Sequence, residues 1–503
     1  MRLCCQIACD FRFAPVAMET QAEVFEPLEL RYSDLVLLSS SRISSSSHSC
    51  EELERIEFIS GGVMRALGPT GPGLLAITGV PKAPALRRDL LPLARNWALL
   101  GQKDRAQVLK DIGLGSDVSM RNLDRAVSSF AMQLKYEQFS DLESVSPLFN
   151  NGQKDIEDMQ KRRTVDDWQG FLGHEQQLIG NIFRELGLCM MELGFQLARV
   201  CDNLIGGKEL GQSILDAGTA KGRLIHYHSV LDNLLLKEEN KRTKGSISKA
   251  RSTTSTVINL SNTLSLTNLH FSTSSDNKVL PNFIKSEDEQ FLCSKISTTG
   301  VSCRRKYFSN LWQQWHYDYG IFTVLTSPLF LSSCGLDDSF CFKDCSSPDD
   351  HTYLQLYDSN NDRVLLVKAS PESFIIQVGE SADILSNGKL RSTLHSVGRP
   401  SEIESLSRET FVVFLQPPWN KVLPIPSYLM DAEVKDEEYL PSNDACLVGH
   451  MVGSGDSNHI VQEIFRSIPP LSSRLRPGMT FAEFSRETTK QYYGGGGTQS
   501  GRQ

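Results

Sequence analysis

The sequence predicts an α+β fold with a mainly β core: an antiparallel sandwich or barrel, of which the jelly roll is one form, behind a helix-rich N-terminal support region. Two observations predict it. In the first half, Leu86, Leu90, Leu93, Trp97 and Leu100 recur at three and four residues, as do Leu178, Ile182, Leu186, Leu193, Leu197 and Val200 later on. From Trp312 onward the texture changes to short apolar runs separated by turns, TYLQLYD, RVLLVKA, ESFIIQV and TFVVFLQP, with no helical period between them. With 503 residues, 40% of them hydrophobic, the chain can bury a large core.

The elements follow in order. Residues 39–49 are nearly all serine and cannot bury enough apolar surface to offset chain ordering, so residues 1–50 are expected to be flexible. The stretch before Met18 differs in texture from the residues after it and suggests an extension from an upstream start codon. Residues 51–229 form the helix-rich region, with one buried strand expected in GPGLLAITGVP, bounded by Gly71 and Pro81. The apolar stripes, Met190 and Met191 included, are read as core. Residues 230–310, rich in Ser, Thr, Lys and Asn, are expected to be a disordered insertion, and residues 311–503 the β domain closed by a C-terminal helix.

A formal net charge of −8 argues against nucleic acid or an anionic membrane as partner and leaves a small-molecule substrate. The 12 cysteines show no repeated C-x-x-C pair, which supports neither a disulfide framework nor a structural zinc. No run of about 18 apolar residues exists to span a bilayer. A cytoplasmic monomer is the expectation. The basic cluster Lys241, Arg242, Lys244, Lys249 and Arg251 leaves a nuclear destination open, although a solvated charge run is the simpler reading.

Chemistry concentrates in two blocks. In W-H-Y-D-Y-G, Trp315 to Gly320, period-two geometry on an opening strand places His316 and Asp318 on one face. Downstream, Asp383 to His395 contains Asn387-Gly388, a strong hairpin-turn dipeptide that would carry His395 back toward the sheet. Two imidazoles and one carboxylate on one face of a metal suit non-haem Fe(II) and leave positions open for substrate and O2.

With these residues the chain resembles the Fe(II)- and 2-oxoglutarate-dependent oxygenases of the plant, isopenicillin N synthase-like type. The resemblance runs from GPGLLAITGVP through the H-x-D and S-N-G-K…H blocks to the end of the strand region. It implies a double-stranded β-helix (jelly roll) core, with His316, Asp318 and His395 holding Fe(II). It further implies 2-oxoglutarate as co-substrate and O2 as oxidant, with ascorbate useful in assay, and hydroxylation or desaturation of a small molecule with release of succinate and CO2. The family's R-x-S is matched by Arg408-Glu409-Thr410, so Arg408 inherits the far carboxylate of 2-oxoglutarate and Thr410 a supporting hydrogen bond. S-R-E-T recurs at Ser485 to Thr488, but there Thr480 and Glu483 form a capping-box pattern, so Arg486 is read as a surface helix residue.

R-L-I-H-Y-H-S, Arg223 to Ser229, resembles the family's N-x-Y-P segment and gives Tyr227 the co-substrate contact. It departs from the pattern at His226, His228 and Ser229. Further departures are the insertion before His316, the extra residues Ser327 to His351, and Ser396 where Arg is common. His226 and His228 are read as a hydrogen-bonded structural pair rather than a second metal site. His174, His270, His351, His450 and His459 are read as surface or satisfied core residues, and Cys334, Cys341 and Cys345 as incidental. Two other classes compete: a non-catalytic jelly-roll binding or regulatory protein derived from the family, and a cupin-like metalloenzyme without co-substrate, which leaves Arg408 unexplained.

Overall fold

The computed structural model describes residues 23–40, 49–116, 123, 125–136, 168–247, 310–333, 342–361, 363–400, 402–430 and 468–493. The chain opens with β1 (Glu23–Phe25), β2 (Glu29–Arg31), α1 (Tyr32–Ser39), α2 (Cys50–Leu67) and β3 (Leu74–Thr78). Next come α3 (Ala83–Leu99), α4 (Gln102–Ile112), β4 (Val127–Lys135), α5 (Trp168–Ile205), α6 (Glu209–Ala217), β5 (Thr219–Tyr227) and α7 (Val230–Ile247). The strand-rich part holds β6 (Leu311–His316), β7 (Phe322–Thr326), β8 (Leu329–Ser333), β9 (Phe342–Cys345), β10 (Leu354–Asp358), β11 (Arg363–Val367) and β12 (Phe374–Val378). It continues with α8 (Glu380–Leu385), β13 (His395–Gly398) and β14 (Ser407–Leu415), and the chain closes with α9 (Leu471–Arg474) and α10 (Phe481–Tyr493).

Two sheets face each other. The larger, of 9 strands, has the order β2-β3-β12-β7-β14-β5-β4 with β8 paired to β14 and β9 to β8, and the smaller, of 5 strands, β1-β11-β10-β13-β6. From β5 onward the chain alternates between them: β5 large, β6 small, β7 large, β10 and β11 small, β12 large, β13 small, β14 large. Eight antiparallel strands that wind back and forth between two sheets make a jelly roll, the double-stranded β-helix expected from the sequence. Its first strand, β5, lies within the region predicted to be helical support, so the roll begins about ninety residues before position 311.

Strand period two sorts the side chains of the large sheet. On β14, Phe411, Val413 and Leu415 join the helix-backed core, whereas Val412 and Phe414 join Ile225, Tyr227, Trp312 and Val397 between the sheets. The long helix α5 covers the outer face, and its glycines permit the approach. A Cβ at Gly187 would fall 2.6 Å from the Leu134 side chain, and one at Gly194 would fall 2.7 Å from that of Leu415.

Several expectations need correction. Residues 23–40 are ordered, against the flexible segment 1–50: β1 pairs parallel with β11 and β2 parallel with β3, because Leu30, Leu35 and Leu38 reach the core. Residues 230–247 of the expected 230–310 insertion form α7, and residues 248–309 lie outside the described part. Asn387 and Gly388 do take positive φ, at 52° and 77°, but they end α8 rather than join two strands. Gly388 N–H donates to the Asp383 carbonyl, closing the last helical turn. The extra residues before His351 are partly strand, since β8 pairs with β14 beside Arg408. Cys345 ends β9 as a free thiol, whereas Cys334 and Cys341 are outside the described residues, as are His270, His450 and His459. No described helix is long and apolar enough to cross a membrane.

The C-terminal segment is fastened by a buried ion pair. Arg474 Nη1 lies 2.7 Å and Nη2 2.5 Å from the two Glu380 oxygens, and Nη1 also donates to Thr488 at 3.0 Å. Thr480 and Glu483 bond reciprocally at the start of α10, and Arg486 is exposed, both as the sequence indicates. Removing one member of the Arg474–Glu380 pair strands the other charge. Arg474→Met is expected to lower the stability of the folded chain by about 3–5 kcal/mol in urea denaturation, and Arg474→Met/Glu380→Met to recover most of that loss.

Candidate metal and co-substrate site

His316 is the last residue of β6 and His395 the first of β13, and the two are direct antiparallel partners. Their ring centroids are 4.2 Å apart. Asp318 follows β6 in a loop, so W-H-Y-D-Y-G closes a strand instead of opening one, and the turn rather than strand alternation brings the carboxylate round. Asp318 Oδ1 lies 3.8 Å from His316 Nε2, and Oδ2 lies 3.8 Å from His395 Nε2. The three donor atoms fall within 4.8 Å of one another, as one metal ion requires.

Each imidazole is oriented the same way. His316 Nδ1 donates to the Gln314 carbonyl at 2.8 Å, and His395 Nδ1 donates to the Thr393 carbonyl at 3.0 Å. A ring that gives its proton at Nδ1 presents a lone pair at Nε2, so both lone pairs point at the shared position. Burial, reinforced by neighbouring His395, pushes the His316 imidazolium down to about 4 and keeps that ring neutral. Asp318 is held by Thr323, whose hydroxyl donates to Oδ2 at 2.7 Å. The loop's backbone is fixed too, with Glu380 N–H donating to the Asp318 carbonyl at 2.8 Å.

A second group stands deeper between the sheets. Arg408 on β14 and Tyr227 on β5 are register partners, with the guanidinium carbon 5.0 Å from the centre of the Tyr227 ring. Arg408 is only 3% exposed, its Nε donates to the Thr352 carbonyl at 3.0 Å, and no described carboxylate forms a salt bridge with it. Burial pushes its pKa down, against the opposing pull of Tyr227 and Glu409. Thr410, two residues along the same face, donates its hydroxyl to the Thr326 carbonyl at 3.2 Å, so the proton expected for a ligand is given to the backbone here.

Gln313 connects the two groups. Its Nε2 donates to His316 Nε2 at 2.8 Å, and its Oε1 accepts from the Tyr227 hydroxyl at 2.8 Å. Neither Gln313 nor Thr323 is singled out by the sequence: they are ordinary strand residues, Gln313 placed by the facing of β5 and β6 and Thr323 by the turn that brings Asp318 back over β7. Gln377, the register partner of Thr323, is 1% exposed, and neither of its amide atoms has a hydrogen-bond partner among the described residues.

His226 and His228 lie at the helix-backed side of β5, each bonded to a different neighbour, and their ring nitrogens with an Asp232 oxygen also fall within 4.8 Å of one another, the geometry of the second-metal alternative. His226 Nδ1 lies 2.9 Å from Glu409, and His228 Nε2 lies 2.7 Å from the Ser128 hydroxyl. Ser396 donates to Gln355 at 2.9 Å, and His351 is a buried acceptor for Tyr353 N–H at 3.1 Å.

No family model matches the chain, and no curated protein matches it. Among solved structures it is similar to JOX2 in complex with 2OG, Fe and JA, with 13% identity over 82% of this chain and 80% of that one, at a TM-score of 0.41. It is also similar to a dioxygenase for auxin oxidation in rice, with 14% identity over 81% of this chain and 88% of that one, at a TM-score of 0.40. A third is a dioxygenase for auxin oxidation from Arabidopsis thaliana in complex with 2-oxoglutarate, with 13% identity over 81% of this chain and 98% of that one, at a TM-score of 0.39. Likenesses of this strength leave the chain's family unassigned.

Proposed function

We propose that the chain is an Fe(II)- and 2-oxoglutarate-dependent dioxygenase that hydroxylates or desaturates a small organic molecule with release of succinate and CO2. The observation that carries this reading is the convergence of two Nε2 lone pairs and one carboxylate on a single point, His316, Asp318 and His395. That donor set, borderline nitrogen and hard oxygen on one face, fits Fe(II) and leaves the opposite face open.

In this reading His316, His395 and Asp318 hold the metal, and Thr323 keeps the Asp318 carboxylate turned toward it. Arg408 is a buried cation without an ion-pair partner among the described residues, which suits the distal carboxylate of a dicarboxylic co-substrate. Tyr227 and Thr410 flank it and can turn their hydroxyls to the same anion by releasing Gln313 and the Thr326 carbonyl. Iron, when bound, supplies the one-electron chemistry with O2 that side chains lack and couples decarboxylation of 2-oxoglutarate to oxidation of a substrate C–H. The protein positions the reactants and excludes water, for which Ile225, Trp312, Val397 and Val412 provide apolar walls. The unpartnered amide of Gln377 offers the interior a polar contact for a ligand.

The test is succinate release from labelled 2-oxoglutarate by purified protein with Fe(II) and ascorbate. Wild type is expected to release succinate, His316→Ala to fall to background, and Arg408→Ala to raise the 2-oxoglutarate KM by roughly 10–100-fold through loss of charge-assisted hydrogen bonds. Release that persists in His316→Ala refutes the ligand set. A wild-type protein that takes up no iron and releases nothing supports a non-catalytic roll instead. Thr323→Val is expected to weaken Fe(II) or Mn(II) binding about 10–100-fold without abolishing it, measured by calorimetric titration.

A further inference from the structure

Directly behind the Arg408–Tyr227 pair lies a second one. The register that sets Arg408 opposite Tyr227 also sets Glu409 opposite His226, and strand alternation sends these two to the helix-backed side. His226, His228, Asp232 and Glu409 have no exposed surface. His226 Nδ1 contacts the Glu409 oxygens at 2.9 and 3.0 Å, and its Nε2 faces Asp232 Oδ2 at 3.4 Å. Arg95 of α3 grips the other Asp232 oxygen from 2.7 and 3.0 Å. Asp232 also accepts from Ser229 N–H and Oγ, which anchors the start of α7. The cluster thus ties β5, β14, α3 and α7 together at the rung where the co-substrate carboxylate would bind.

We propose that His226, as an imidazolium clamped between Glu409 and Asp232, is a positioning residue for the Arg408–Tyr227 carboxylate clamp. This rests on the functional reading above. Two carboxylates face the ring, and Arg95 forms an ion pair with one of them while Glu409 has only His226 and the Ser407 hydroxyl against it among the described residues, so a positive charge on the ring balances the cluster. A proton satisfies that need. A divalent ion would add two charges to a pocket that Arg95 and Arg125 already border, with Arg125 donating to the Ser128 hydroxyl that holds His228. Burial disfavours charge on His226, but Glu409 and Asp232 outweigh it and push its pKa up to about 9. Burial also raises Glu409 against the pull of His226, so both shifts keep a proton between the two. His228 is pushed down by burial, and then by His226 and Arg125, and stays neutral.

The sign follows from the raised value. The contribution of His226 is complete below its ordinary pKa near 6.5 and is lost as pH rises through about 9. The groups facing the ring are Glu409 from β14, Asp232 from α7 with Arg95 of α3 behind it, and His228 at the end of β5 with Arg125 and Arg399 around it.

The experiment titrates 2-oxoglutarate into full-length, Mn(II)-loaded protein by calorimetry between pH 7 and 9.5, for wild type, His226→Gln and Glu409→Gln, with Mn(II) affinity measured alongside. The expected result is that both variants bind 2-oxoglutarate about tenfold more weakly at pH 7, with Mn(II) affinity changed less than about twofold, the smaller end of effects from residues behind a ligand. Wild-type affinity is expected to fall as pH passes 9, and the His226→Gln profile to stay flat. A variant with wild-type 2-oxoglutarate affinity, or one that loses Mn(II) affinity in equal measure, overturns the proposal. Should the variants not fold, histidine-labelled NMR of wild type decides: an imidazolium persisting to pH 8 supports the proposal, and a neutral His226 at pH 7.5 overturns it. A second equivalent of metal that His226→Gln loses and His316→Ala keeps overturns it in favour of a metal at His226, His228 and Asp232. If wild type binds Mn(II) but no 2-oxoglutarate, the functional reading fails and the positioning role goes with it, an outcome distinct from a variant that matches a binding-competent wild type.

Discussion

The pairing of β14 with β5 in a single register is the constraint on which the rest of this molecule depends. Eight consecutive rungs, from Arg408 opposite Tyr227 to Leu415 opposite Ala220, leave no freedom to slip by one residue. A slip would turn Arg408 toward α5 and bring Glu409 between the sheets, exchanging the charges on the two faces of the roll. Phe411, Val413 and Leu415 oppose that slip because their outward burial under the long helix would be lost at the same time.

The two clusters on either side of this ladder handle buried charge in opposite ways. On the helix side, carboxylates, a guanidinium and an imidazole of opposite charge lie against one another and join four elements, with His226 Nε2 at the looser distance of 3.4 Å from Asp232. Between the sheets, Arg408 has a single backbone acceptor and aromatic company. The metal-facing group is similarly prepared: carbonyls two residues before each histidine fix the tautomers, and backbone bonds around Glu380 fix the loop that holds Asp318. Such arrangement in advance lets a ligand bind without reorganising its surroundings.

Much of this was legible in the sequence because the informative residues act locally. The H-x-D triplet, the apolar stripes of α3 and α5, and the capping box before α10 each lie within a few residues, and the structure keeps them except that Leu178 at the start of the α5 stripe is exposed and Asp318 is brought to His316 by a turn. Asn387-Gly388 was legible as a backbone conformation but not as an element, because α8 has only 6 residues and is too short to display a helical period. Gln313, Thr323 and the His226–Glu409 pair were illegible for another reason. Tyr227 lies 86 residues from Gln313 and Glu409 183 from His226, so only the register of the sheets selects those meetings. Gln313 and Thr323 also reach His316 and Asp318 three and five residues away, but through a strand end and a turn whose shape neither residue type announces. The ordering of residues 23–40 belongs to the same class, since β1 and β2 are three-residue strands stabilised by edges that the sequence does not reveal.

The side-chain amide of Gln313 occupies the Nε2 lone pair of one histidine while accepting a proton from Tyr227. An occupant of either end therefore competes with the same group, and displacing it from one contact weakens its hold on the other. By thermodynamic reciprocity, whatever free energy the first guest contributes to freeing this amide is returned as tighter capture of the second, whichever arrives first. On the function proposed above, the two ends would load cooperatively through this one amide.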